Sequence, residues 1–255
     1  MSQEFLPTIL KQKAKEVAQL TMEELHPLRQ AYRFYDFLKG HQDKLQIIAE
    51  VKKASPSLGD INMGVDIVAQ AKTYEQNGAA MISVLTDEIY FKGHLDYLRQ
   101  ISSQVAIPTL AKDFIIDEKQ IIRSRNAGAT VILLIVAALS EGRLKELYDF
   151  ATGLGLEVLV ETHNLPELEA AHRIGAKIIG INNRNLVTFN TDINTSLQLS
   201  THFKEGPVYI SESAISTEED AQTVAPYFNA ILVGTALMTA DNVADKIKEL
   251  KIDKG

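Results

Sequence analysis

The stretch Ile47-Ile-Ala-Glu-Val-Lys-Lys-Ala-Ser-Pro-Ser-Leu-Gly59 opens as an apolar strand, carries Glu50 and Lys52 towards its end, and then breaks into a Ser/Pro/Gly loop. Side chains two apart on a strand share a face, so Ile48, Glu50 and Lys52 point the same way. On a solvated face the two charges are ordinary surface groups. On the inside of a closed sheet they are a paired acid and base at its mouth.

Outward from this segment the chain alternates. Apolar, β-branched runs begin near positions 46, 80, 107, 130, 156, 177, 207 and 229, which makes eight strands at intervals of 21 to 34 residues. Amphipathic helices lie between them: Ile67/Ala71/Tyr74, Leu95/Leu98/Ile101, Leu144/Leu147/Ala151 and Val243/Ile247/Leu250 each mark one face at helical spacing. Asn77-Gly-Ala79, Ala127-Gly-Ala129 and Ile174-Gly-Ala176 each end a helix with glycine at the position that favours a left-handed backbone. Ser216-Thr-Glu-Glu219 has the pattern of a capping box, and Pro166 suits a first helical turn. Near-continuous apolar strands joined by helices predict a parallel sheet buried on both faces. An open doubly wound sheet would normally follow its first strand with G-x-G-x-x-G, and Ser55-Pro-Ser-Leu-Gly59 is not that motif. The expected fold is therefore α/β, a closed (β/α)8 TIM barrel forming one domain over residues 1–255, with the barrel at 46–255. Residues 1–45 form a helical extension, a lid or plug, with Phe5, Ile9, Leu10, Ala14 and Val17 on one helical stripe. A second helix is predicted through Leu28 to Leu38, closed by Gly40 and a polar segment.

The bulk properties narrow the function. A formal charge of −7 gives no basic surface for nucleic acid or an anionic membrane. With no cysteine there is neither thiolate chemistry nor a Cys-bound metal. The N-terminus lacks a secretory h-region, and the longest apolar run, the nine residues Val131–Leu139, falls short of the roughly 20 needed to span a bilayer. A cytoplasmic location is expected. The histidines at 26, 41, 94, 163, 172 and 202 fall mostly in helices and loops and form no H-E-x-x-H pattern, so no metal is expected.

Active sites of such barrels lie at the C-terminal ends of the strands. Strand one ends in Glu50 and Lys52, strand three in Lys112 with Phe114 on the same face, and strand five in Glu161. Strand six ends in Asn182 and Arg184, strand seven in Glu212 and Ser213, and strand eight in Gly234 and Thr235. A charge after one strand usually begins a solvated loop, but here five strands of eight end in ionisable groups. Three cations (Lys52, Lys112, Arg184) and three anions (Glu50, Glu161, Glu212) would meet at one rim, and that balance makes their burial tolerable. The loops after strands seven and eight are the usual phosphate site of the fold; Ser213-Ala-Ile215 and Gly234-Thr235 fit it, and Ser55 could add a hydroxyl.

These motifs match a known family. Ile48-Ala-Glu-Val-Lys-Lys-Ala-Ser-Pro-Ser57, Ile82-Ser-Val-Leu-Thr-Asp87, Lys112-Asp-Phe114, Ile132-Leu-Leu-Ile-Val-Ala-Ala-Leu139, Ile179-Gly-Ile-Asn-Asn-Arg-Asn-Leu186 and Ser211-Glu-Ser213 resemble the indole-3-glycerol-phosphate synthases, carboxy-lyases of tryptophan biosynthesis. The resemblance covers the whole chain, including the N-terminal extension. It implies conversion of 1-(2-carboxyphenylamino)-1-deoxyribulose 5-phosphate to indole-3-glycerol phosphate, CO₂ and water, without a cofactor. By the same resemblance Lys112 matches the general acid, and Glu161 the carboxylate that transfers protons in the later steps. Lys52 matches a second lysine that holds the substrate carboxylate and is a second candidate proton donor, and Glu50 orients the ammonium groups. Asn182 and Glu212 match groups that bind substrate hydroxyls, Arg184 a substrate-binding position, and Ser213, Ala214, Gly234 and Thr235 the phosphate end. Phe91, Phe114, Leu133 and Leu186 would line the slot for the aromatic ring.

Two positions depart from the family pattern. Ala214 stands where glycine is usual, and its methyl could crowd the phosphate. Ala111 stands where arginine is common; it should face away from the barrel interior, with little consequence. Two rival functions fit the residues: a Schiff-base aldolase with Lys112 as nucleophile, and an inactive barrel that binds a phosphorylated ligand or a partner protein. The expected partner is a phosphorylated small molecule, with no nucleic acid and no membrane, and the chain is expected to be a monomer or weak homo-oligomer. The 255 residues have room for one barrel, so the monofunctional form is expected.

Overall fold

The computed structural model describes residues 5–55 and 59–254. Eight strands, β1 (Gln46–Val51), β2 (Met81–Leu85), β3 (Thr109–Lys112), β4 (Val131–Ile135), β5 (Glu157–Thr162), β6 (Ile178–Asn182), β7 (Val208–Glu212) and β8 (Ala230–Val233), form one closed barrel. Every pairing is parallel, each strand lies beside its neighbours in sequence, and β8 closes onto β1 through Gln46↔Ala230 to Ala49↔Val233. The observed starts fall within two residues of those expected from the sequence.

Alternation along the strands sorts the core into two layers. Ile48, Met81, Leu110, Leu133, Leu159, Ile178, Ile210 and Leu232 fill the barrel. Ile47, Ala49, Ile82, Ala111, Ile132, Val158, Ile179 and Ile231 face outward and pack with the helices. Ala111 thus faces away from the interior, as its place in the alternation requires. The same parity sends Glu50, Lys112, Glu161, Asn182 and Glu212 inward above the apolar layer, at the end where the chain leaves each strand.

The helices are α1 (Phe5–Gln19), α2 (Phe34–Gly40), α3 (Ile67–Gln76), α4 (Glu88–Phe91), α5 (Leu95–Ser102), α6 (Glu118–Asn126), α7 (Glu141–Gly153), α8 (Leu165–Arg173), α9 (Asn194–Ser200), α10 (Glu218–Val224), α11 (Thr235–Met238) and α12 (Val243–Leu250). Gly78, Gly128 and Gly175 follow helix ends at φ of 90°, 98° and 78°, the conformation their recurrence in sequence predicts. Among the described residues no helix is long and apolar enough to cross a membrane. Residues 56–58 of the loop after β1 lie outside the described residues, and beside them Ala54–Ser55 and Gly59–Asp60 form a two-strand ladder.

Three local expectations need correction. The second N-terminal helix begins at Phe34, not near Leu28. Ahead of it Arg29 Nε donates to Ser102 O at 2.7 Å and Nη1 to Ile107 O at 3.0 Å, while the Tyr32 hydroxyl donates to Ala80 O. These bonds to carbonyls under the barrel hold the segment off a helical course. The stripe buried by α1 is Leu6, Ile9, Lys13 and Val17, with Ala14 exposed, because Lys13 is drawn inward by carboxylates. The capping box of α10 sits one residue later than expected: Thr217 is the N-cap and Asp220 closes the box. Asp220 Oδ2 also accepts from the backbone N–H of Ser216, so its shorter side chain collects both orphan donors.

The extension serves both ends of the barrel. Phe34 and Leu38 of α2 join the interior cluster from below, and Glu157 accepts from the backbone N–H groups of Phe34 and Tyr35 at 2.7 and 2.8 Å. Helix α1 lies at the opposite end, where Phe5 and Leu6 border the mouth.

Candidate active site

A cavity of about 740 Å³ opens at the C-terminal ends of the strands. Its floor is the upper rim of the interior layer, and its polar groups come from strand ends that the closed sheet holds in fixed register. Lys112 Nζ lies between two carboxylates, 2.5 Å from Glu212 Oε2 and 3.3 Å from Glu161 Oε2. Lys52 Nζ pairs with Glu50 Oε1 at 2.8 Å. The arrangement requires two absent side chains: a Cβ on Gly180 would collide with the Glu212 carboxylate, and one on Gly234 with Glu50 and Lys52.

Burial alone would push the Lys112 ammonium down, but the adjoining Glu212, then Glu161 and Glu50, hold it above the ordinary lysine range. Lys112 is therefore a cation throughout the neutral range. Its two carboxylate partners diverge. Burial would raise Glu161, yet Lys112, His163 and Asn182 beside it bring it below the usual carboxylate range. Glu212 is pushed up to about 7 by burial, opposed by Lys112 and reinforced by Glu161.

Fifteen of the sixteen residues singled out from the sequence line this cavity: Glu50, Lys52, Phe91, Lys112, Phe114, Leu133, Glu161, Asn182, Arg184, Leu186, Glu212, Ser213, Ala214, Gly234 and Thr235. Ser55 is not among the lining residues; it is buried in its short ladder. Arg184 lies past the end of β6, bridged to Thr191, and its Nη1 donates to Phe189 O at 3.0 Å. Phe91 and Phe114 stand 6.1 Å apart between ring centroids, on one wall with Leu133. At the opposite side Ser213 and Ala214 take φ of 64° and 61°, turning the chain after β7 so that it faces Gly234 and Thr235 at the start of α11. Asn183 Nδ2 holds this turn by donating to Ser213 O at 3.1 Å. Among the described residues no group of three or more His, Asp and Glu side chains is arranged to hold a metal ion.

Sequence reasoning missed two parts of the site. Phe5 and Leu6 of α1 line the cavity, and nothing in the helical spacing pointed to that. His163, with 10 % of its side chain exposed, stands behind Glu161, Nε2 lying 3.2 Å from Oε1. The signal was present, since His163 is two residues after Glu161, just past the end of β5, and four before Glu167.

The family model described as indole-3-glycerol phosphate synthase matches residues 6–250. Curated relatives carry the same description: one from Streptococcus thermophilus is 82 % identical, one from Streptococcus sanguinis 80 % and one from Streptococcus mutans 76 %, each over all of both chains. Among solved structures, a 3-hexulose-6-phosphate synthase is similar with a TM-score of 0.65 at 14 % identity, covering 81 % of this chain and 98 % of its own, which is a likeness of fold. With the family model matching nearly the whole chain and relatives of 76 to 82 % identity covering all of it, the chain belongs to the indole-3-glycerol phosphate synthase family.

Proposed function

We propose that the chain closes the indole ring of 1-(2-carboxyphenylamino)-1-deoxyribulose 5-phosphate, releasing CO₂ and water to give indole-3-glycerol phosphate. The observation that carries the proposal is Lys112, a buried ammonium seated between Glu161 and Glu212 on the cavity floor. Ring closure needs a proton on the ribulose carbonyl oxygen as the aromatic carbon attacks, and Lys112 is the donor at the meeting point of the strands. Loss of CO₂ then frees the electron pair that restores the ring, with Lys52 facing the departing carboxylate. A hydroxyl then leaves as water on a proton from Lys52, while Glu161, kept ionised by its neighbours, takes the proton from the adjacent CH₂ carbon as the double bond forms. Glu50 holds Lys52, and Asn182 and Glu212 meet the sugar hydroxyls. The apolar wall of Phe91, Phe114, Leu133 and Leu186 takes the aromatic ring, while Arg184, Ser213, Ala214, Gly234 and Thr235 face the phosphate end. No electron transfer is involved, so no cofactor is called for.

The aldolase alternative asks Lys112 to be a free amine, and its carboxylate partners oppose that by holding the proton on. A carbonyl carbon attacked by nitrogen would be trapped by borohydride, and no covalent adduct is expected here. Supporting the same reading, we take residues 1–255 as one domain, with 1–45 an extension of the barrel. We take it to act in the cytoplasm as a monomer or weak homo-oligomer without nucleic acid. The test is fluorescence detection of indole-3-glycerol phosphate from the carboxyphenylamino substrate; a folded preparation that gives none overturns the assignment.

A further inference from the structure

Glu161 and Glu212 are chemically alike, equally buried, and share one ammonium, so something must decide which of them holds the negative charge. The Lys112 contact favours the other partner: Glu212 is at 2.5 Å and Glu161 at 3.3 Å. What distinguishes Glu161 lies on its second oxygen. His163 Nε2 is 3.2 Å from Oε1, a close charge contact and not an aligned hydrogen bond. The other ring nitrogen, Nδ1, lies 3.0 Å from Glu167 Oε2. That carboxylate also accepts from the His163 backbone N–H at 2.9 Å and the Asn164 amide at 2.7 Å, so it serves as an acceptor and Nδ1 carries the proton between them. Glu167 is itself anchored in the first turn of α8, its N–H bound by Asn164 Oδ1 at 3.0 Å, where a carboxylate is favoured. A ring with a carboxylate at each nitrogen is an imidazolium. Glu212 Oε1, by contrast, has no hydrogen-bond partner.

We propose that His163 is a positioning residue: clamped between Glu167 and Glu161, its imidazolium keeps Glu161 ionised with Oε2 turned to Lys112, and so assigns the base role to Glu161 and not to Glu212. This rests on the reading of the site given above. The charged groups that bear on the ring are Glu161 from β5 and Glu167 from α8. The 3-10 turn Val136–Ala138, which packs on both elements, carries only apolar side chains. Beyond Glu161 stand Lys112 from β3, Glu212 from β7 and Glu50 from β1. Burial would lower the imidazole, but the two carboxylates raise it to about 10, so the cation persists through the neutral range.

The experiment compares wild type, His163→Gln, His163→Lys and Glu167→Gln by kcat and KM from about pH 3 to 9, a range that reaches down towards the low Glu161 titration. Alongside it, the Glu161 carboxyl is titrated by ¹³C NMR in the ligand-free protein. Removing the cation raises the pKa of Glu161, so that on acidification the activity that needs its ionised form is lost at a higher pH than in wild type. In His163→Gln the acid limb should therefore move up by about one unit, and kcat should fall roughly tenfold or more with KM changed little. His163→Lys, which keeps a cation, should return the limb towards wild type. Glu167→Gln, which leaves the ring in place but loosens it, should shift the limb in the same direction by less. Where His163→Gln does not fold, Glu167→Gln and the NMR titration carry the test. An unmoved limb and an unmoved Glu161 titration overturn the inference while turnover stands. A moved titration in a protein with no turnover supports the clamp and overturns the reaction instead.

Discussion

Lys112 Nζ lies 2.5 Å from Glu212 Oε2, an ion pair that joins β3 to β7 across the barrel mouth. With Glu161 on its other side, this one ammonium contacts two buried carboxyl groups, and its loss has separable consequences for rate and stability. Lys112→Met keeps the apolar stem but removes the proton donor, so turnover should fall by about 10² to 10⁴-fold while substrate binding stays measurable. Steady-state kinetics and equilibrium binding check the two halves. Wild-type-like turnover would move the general acid to Lys52.

The same variant should show a pH-dependent stability defect. Without Lys112, the folded-state pKa of Glu161 rises, and that of Glu212, already above the unfolded value, rises further. A carboxyl raised in this way favours the fold below its unfolded pKa and disfavours it as pH climbs through the folded value. Breaking a buried pair costs roughly 3 kcal/mol. The gap between variant and wild-type melting temperatures should therefore be widest near neutral pH and narrow towards about pH 5. A gap that is constant with pH contradicts the argument.

Ala214→Gly should stabilise the protein. Ser213 and Ala214 both adopt left-handed backbone, φ 64° and 61°, a conformation that costs an alanine about 1 kcal/mol. This gives the family's preference for glycine here a conformational reason beyond the room a methyl takes. Relief of roughly 1 kcal/mol corresponds to a rise in melting temperature of about 2 °C for a chain of this size. If the methyl also crowds the phosphate, KM falls in the same variant. A melting temperature at or below wild type would count against strain at this turn.

Gly180→Ala tests the space under Glu212. The added methyl collides with that carboxylate and also meets Leu159 of the neighbouring strand. Because β5, β6 and β7 are locked in parallel register, the strand cannot slide away, and the carboxylate must give up its place beside Lys112. Overpacking of this kind costs about 1–3 kcal/mol, so a folded variant with kcat reduced at least tenfold is expected. Unchanged kcat would place Glu212 outside the chemistry.

The eight strands and the identity of the residues at their ends were legible because burial on both faces and strict alternation are written into the chain as near-continuous apolar runs ending in charge. What alternation does not encode is the partner of a buried charge. The apolar stripe expected for α1 included Ala14, yet Lys13 is the buried member of that pair, since a pattern of apolar residues has no place for a lysine drawn inward by Asp87 and Asp113. His163 was passed over because it belongs to no metal motif; its partners, Glu161 and Glu167, are within four residues of it in sequence. The start of α2 was misplaced because Arg29 and Tyr32 bond to carbonyls 48 to 78 residues away in the chain, contacts that only the closed barrel creates.

Lys13→Met should couple stability to catalysis. Lys13 Nζ lies 2.8 Å from Asp87 Oδ2 and 2.9 Å from Asp113 Oδ1, so one side chain of α1 ties the loops after β2 and β3 together. Asp87 Oδ1 caps α4, accepting from Tyr90 and Phe91 at 2.7 and 3.2 Å, and so sets Phe91 on the cavity wall. Asp113 directly follows Lys112 and accepts from Thr86 Oγ1 at 2.7 Å. Burial alone would lower the Lys13 ammonium, but Asp113 and Asp87 hold it above the ordinary lysine range. Its stabilising contribution is thus fully present below the unfolded lysine value and is lost only at strongly alkaline pH. Methionine at this site leaves the buried Asp87 and the half-buried Asp113 without their cation, at a cost of about 3 kcal/mol at neutral pH. Urea unfolding of wild type and variant at neutral pH measures that cost. Because both aspartates stand next to groups that line the cavity, kcat should fall in the folded variant as well. A destabilised protein with wild-type kcat would mean that α1 braces the barrel without setting the site.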